Sequence, residues 1–131
     1  MKYFKITERF SLFFAAVFFV AFSSFTFNVI ENNEADIVTV KGEVLDLACF
    51  MKSGAKGKDH KGCAATCIGK GGPVGLLGTD GKVYLLVEDH ENAAAFKELK
   101  NFAAENVTVT GVAHERSGLN GIVLAKVEAM K

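Results

Sequence analysis

The chain has 131 residues, 15 Lys/Arg against 15 Asp/Glu, and a hydrophobic half. That is room for one modest domain once an N-terminal apolar run is set aside. From residue 31 on, 12 basic residues face 14 acidic ones, which excludes general affinity for nucleic acid, since that needs a surplus of cations to displace counterions from phosphate.

Lys2, Lys5 and Arg9 precede an apolar run over 10–30, and Glu31, Glu34 and Asp36 come after it. Basic residues before and acidic residues after such a run place its N-terminus in the cytoplasm and export the remainder of the chain. Residues 1–30 therefore read as a signal peptide or an N-terminal transmembrane helix, and 31–36 as a linker. Ala21-Phe22-Ser23 offers small residues for cleavage, while the run itself approaches the ~20 residues that span a bilayer. The expected location is the periplasm, or the extracytoplasmic face of the inner membrane if the segment is kept.

The domain expected over 37–131 opens with IVTVKGEVLDL, in which Val38, Val40 and Val44 alternate onto one face. This is the pattern of a half-buried strand, with a bulge expected at Gly42. A basic, glycine-containing loop over 51–62 comes next, then a short helix over 60–68 stopped by Gly69, Gly71, Gly72 and Pro73. PVGLLGTDGKVYLLVED predicts a hairpin turning at Asp80-Gly81. Ala95, Leu99 and Phe102 recur at helical spacing, with Asp89 or Asn92 expected to cap the helix and Glu88, Asp89 and Glu91 to favour its positive end. NVTVTGVAHER and GIVLAKVEAM form a last hairpin through residues 117–121.

Strand, inserted loop and helix, two strands, helix, two strands is the order of a mainly β domain of OB type. Its five strands would form a barrel with one helix between strands 3 and 4, and the insertion, 49–73, would lie between strands 1 and 2. A small open β-sandwich is the competing arrangement.

All three cysteines and one histidine fall in that insertion: Cys49, His60, Cys63 and Cys67. On a helix, His60, Cys63 and Cys67 stand at i, i+3 and i+7 on one face, with Cys49 supplied from the end of the first strand. Three thiolates and an imidazole suit tetrahedral zinc, and the same soft set suits Cu(I). An odd cysteine count also permits a disulfide from Cys49 to Cys63 or Cys67 with one thiol left over. Redox cycling ranks behind both, because the C-x-x-C spacing is absent. Asp46 enters as an outer partner of His60 or as a simple turn cap. Lys52, Lys56, Lys58, Lys61 and Lys70 surround the loop with Asp59 alone against them, a positive field that would lower thiol pKa values. His90 and His114 read as solvent-facing, and Tyr84 as part of the sheet wall.

VTVKGEVLDLAC at the start, VTVTGVAHERSGLNGIVLAKVE at the end, and the loop residues Asp46, Cys49, His60, Cys63-Ala64, Cys67, Pro73 and Gly75-Leu76-Leu77 together resemble small exported bacterial OB-fold proteins with a Cys/His loop. The resemblance implies a fold and a location. The function expected from these features is that of a non-enzymatic binding or accessory protein with a zinc or copper site; the alternative is a disulfide-stapled module that binds a protein or small ligand.

Overall fold

In a computed structural model of the chain, residues 36–130 are described. The apolar run over 10–30 lies outside them, and with it the expected signal peptide or anchor. Among the described residues no helix is long and apolar enough to cross a membrane.

Five strands, β1 (Ile37–Asp46), β2 (Val74–Gly78), β3 (Val83–Glu88), β4 (Asn106–Arg116) and β5 (Leu119–Ala129), and three helices, α1 (Leu47–Ser53), α2 (Lys61–Gly69) and α3 (Ala94–Leu99), make a mainly β structure. The strands pair in the order β1-β2-β3-β5-β4 and the sheet closes in a ring as β4 returns to β1. Every pairing is antiparallel except that of β3 with β5. Closure removes the unpaired edges that an open sheet would present.

β1 makes the closure possible because it serves two partners. Its residues 37–43 pair with β4 and its residues 42–46 with β2. Gly42, opposite Gly78 and Val107, is where the strand changes partner. The pairing there runs in register, so the expected bulge is absent; the irregularity falls instead between Thr110 and Gly111 in the β4–β5 ladder. What Gly42 supplies is space, since a Cβ there would collide with the backbone carbonyl of Leu77.

The alternation read from sequence fills the ring. Val44, Leu76, Leu86, Val107, Val109, Ile122, Leu124 and Val127 are buried together, with Val38, Val40 and Tyr84 packed against them. α3 adds Ala95 and Leu99 to this core, and Phe102 packs against it from a single 3-10 turn, Lys100–Phe102. The helix starts at Ala94 and has no side-chain cap and no acidic residue in its first turn. Asp89 instead accepts from the Glu91 N–H at 2.9 Å, closing a local turn that spends its carboxylate before the helix begins. The β4–β5 turn is also tighter than expected. Only Ser117 and Gly118 connect the strands, both with positive φ (51° and 81°), the conformation a two-residue hairpin requires. Residues 119–121 consequently belong to β5, and His114 near this tip is exposed.

Candidate metal centre

The segment joining β1 to β2 departs from expectation at its first residue. Asp46 ends β1, and its Oδ1 accepts from the Ala48 N–H at 3.0 Å, capping α1. Cys49 is thus carried by a short helix and not by the end of a strand. The helix stops at Gly54, whose N–H bonds to the Phe50 carbonyl, with Lys52 in the last turn. The chain then crosses the loop with the Gly57 N–H on the Glu43 carboxylate and enters a 3-10 turn, Lys58–His60. α2 comes next, with His60 as its N-cap residue and Cys63 and Cys67 one turn apart.

Two buried residues hold α2 in place. Ala64 and Ile68 are 1 % and 0 % exposed and join the ring's core, leaving Cys63 and Cys67 on a different side of the helix. Lys61 pairs with Glu105 just ahead of β4. At the exit, the Gly72 N–H bonds to the Cys67 carbonyl and the Pro73 carbonyl accepts from Leu47 N–H at 3.0 Å, so the end of the segment is stitched to its beginning.

These constraints bring five donors together. The Sγ atoms of Cys49, Cys63 and Cys67 lie within 4.8 Å of one another, and a ligand atom each from Asp46, Cys49 and His60 does the same. Cys49 belongs to both groups. All three cysteines are free thiols; Cys49 and Cys67 are half-buried and Cys63 is exposed. Cys49 therefore links two triads, one with Cys63 and Cys67 and one with His60 and a further residue, Asp46.

Asp46 is more deeply placed than its sequence role suggested, at 1 % exposure. Its inward direction continues the β1 alternation, since it stands two residues beyond Val44 on the core side; that is the signal that sequence reading underused. Burial works to raise its pKa, yet donation from the thiols of Cys49 and Cys67 and from the Ala48 and Cys49 N–H groups outweighs burial and holds the carboxyl below its ordinary value. The reciprocal effect falls on the thiols. Hydrogen bonding to Asp46, then burial, then Cys63 push Cys49 up to about 12 from 9.0, and Asp46 and burial likewise raise Cys67. At Cys49 and Cys67 the nearby buried carboxylate outweighs the lysine collar, which reverses the expectation of lowered pKa values for these two thiols. The collar is also less uniform than the local sequence implied, because Glu43 and Glu105 from elsewhere in the fold reach into it.

One pair of atoms is left over. His60 Nε2 and Asp46 Oδ2 face each other at 4.0 Å, beyond hydrogen-bond reach, with side chains 17 % and 0 % exposed. Among the described residues, these are the buried side-chain nitrogen and oxygen atoms without a hydrogen-bond partner.

No protein-family model, curated protein or solved structure matches this chain. The chemistry of the site must be read from its own atoms.

Proposed function

We propose that this chain is an exported, non-enzymatic accessory protein whose five-stranded ring is an OB-like barrel carrying a metal site in the insertion between its first two strands. Cys49, Cys63 and Cys67 supply the sulfur donors and His60 the nitrogen, for zinc or copper. The observation that carries this reading is a cluster of three thiols joined through Cys49 to two residues with buried, unpartnered polar atoms. A buried polar atom left without a partner costs about 1–3 kcal/mol, and a cation between such atoms and the thiols would remove that cost. Strand order, the parallel β3–β5 pair and the helix between β3 and β4 support the OB reading. The charge pattern around the N-terminal run supports export.

A second reading draws on the same proximity. Cys49 lies near enough to both α2 thiols for a disulfide to staple the insertion, which would leave a barrel that binds a protein or small ligand. The orphaned Asp46 and His60 atoms favour the metal, since a disulfide does nothing for them. Mass spectrometry of the purified full chain, native against denaturing, separates the two. A zinc or copper ion lost on denaturation is expected, together with markedly weaker binding in His60→Ala. A mass two hydrogens short with no metal would establish the staple, and three free thiols that take up no added metal would remove both readings.

A further inference from the structure

Five donors gather in two triads that share Cys49, where a tetrahedral ion uses four, and the structure distinguishes among them. We propose that Asp46 is itself a metal ligand, completing with Cys49, His60 and Cys67 a mixed sulfur, nitrogen and oxygen site for a zinc-class divalent ion, with the exposed Cys63 as the donor the site can spare. This rests on reading the cluster as a metal centre and deepens it by putting Asp46 in the place of Cys63 among its donors and by naming the class of ion.

Contact is the first ground. Asp46, Cys49 and His60 each place a ligand atom within 4.8 Å of the other two, and the Cys49 Sγ lies within the same distance of Cys67. Cys63 and Cys67 both lie within 4.8 Å of Cys49, so it is depth that separates them. Depth is the second. Asp46 is buried and Cys49, Cys67 and His60 are half-buried, while Cys63 faces solvent. Reach is the third. Nitrogen and oxygen ligands of one tetrahedral zinc ion, each about 2.0–2.2 Å from it, stand roughly 3.3–3.5 Å apart. The 4.0 Å between His60 Nε2 and Asp46 Oδ2 needs only a small contraction to meet that span.

Charge and softness point the same way. Three thiolates around one divalent ion, with an ionised Asp46 beside them, would leave the pocket two negative charges next to the core. Two thiolates, a carboxylate and a neutral imidazole around a divalent ion leave a single negative charge. Of the insertion's five exposed lysines Lys61 pairs with Glu105, and the other four, Lys52, Lys56, Lys58 and Lys70, can screen it. A carboxylate is a hard ligand that contributes little to Cu(I) and suits zinc. Cys63, at the outer rim, is then free to meet an incoming ion first.

X-ray absorption at the zinc edge on the zinc-loaded full-length protein tests this directly. The expected shell holds two sulfurs at about 2.3 Å and two lighter ligands at about 2.0–2.2 Å; three sulfurs would overturn the assignment and leave the three-thiolate reading standing. Competition titrations give a second readout. Asp46→Asn keeps a side-chain oxygen to cap Ala48, and is expected to lower zinc affinity by more than the about 10–100-fold typical of an outer partner, with Cu(I) affinity little changed. Cys63→Ser is expected to lose less zinc affinity than Asp46→Asn, and the reverse order would refute the proposal. Should Asp46→Asn fail to fold, the absorption spectrum of the unaltered protein decides alone. A wild-type chain that takes up no zinc at all overturns both this inference and the metal reading beneath it.

Discussion

Ile68→Ala tests how firmly the metal-binding helix is tied to the ring. Ile68 is fully buried in the ring's core and stands next to Cys67 on α2. The substitution removes about three methylene equivalents at ~0.8 kcal/mol each, or roughly 2.4 kcal/mol of transfer free energy. A cavity that does not collapse raises the loss toward about 4 kcal/mol. A domain of this size has only about 5–14 kcal/mol in total, so the variant should fold but with a much reduced margin. Urea unfolding of metal-free protein, followed by circular dichroism, measures the difference; with a slope near 1 kcal/mol/M the midpoint should fall by roughly 2–4 M. Thr66→Ala, at an exposed position on the same helix, serves as the control and should stay within about 0.5 kcal/mol. A loss under about 1 kcal/mol for Ile68→Ala would refute the packing of α2 on the ring, and with it the claim that the core positions Cys63 and Cys67.

Two pH dependences arise from the hydrogen-bonded pairs. Tyr84 donates to Asp80 Oδ2 at 2.6 Å, which holds Asp80 below its ordinary 3.8 and Tyr84 above 10.0. The stabilisation from Asp80 is therefore present above pH 3.8 and lost as pH falls through its depressed value. That from Tyr84 is present below pH 10.0 and lost as pH rises through its raised value. In Tyr84→Phe the Asp80 carboxyl carbon should titrate closer to 3.8 by NMR, and an unmoved curve would contradict the pair. At the metal centre, a Cys49 thiol near 12 is protonated at neutral pH, so zinc uptake must release protons and affinity must climb with pH. Zinc titrations between about pH 6 and 8 should show that slope; a flat response would mean that Cys49 is not a ligand. Without metal the sign is opposite: the Cys49–Asp46 bond supports the fold below pH 9.0 and is lost as pH rises through about 12.

The strands were legible because alternation is a local signal that survives burial on one face. Val38, Val40 and Val44 announce β1, and Asp80-Gly81 announces the β2–β3 turn. α1 was not legible, since Leu47–Ser53 buries no residue and so carries no helical period; only Asp46 before it and Gly54 after it mark its ends. The capping expectation at Asp89 failed because an Asx turn and a helix cap use the same side chain two residues apart in register. The cysteine loop was recognisable from composition. Its electrostatics were not, because the carboxylates that answer the lysines, Glu43 and Glu105, come from outside the loop, and Asp46 turns inward where its sequence neighbours gave it only a turn-capping role.

All five donors come from one uninterrupted stretch of chain, from Asp46 at the end of β1 to Cys67 ahead of β2. No distant partner has to arrive before the cage can take shape, and of the ring's pairings the last of β1 with β2, Asp46 opposite Val74, reaches it. The cage is nonetheless fastened to the wall that carries it, since Ala64 and Ile68 share the ring's core and Asp46 closes its first strand.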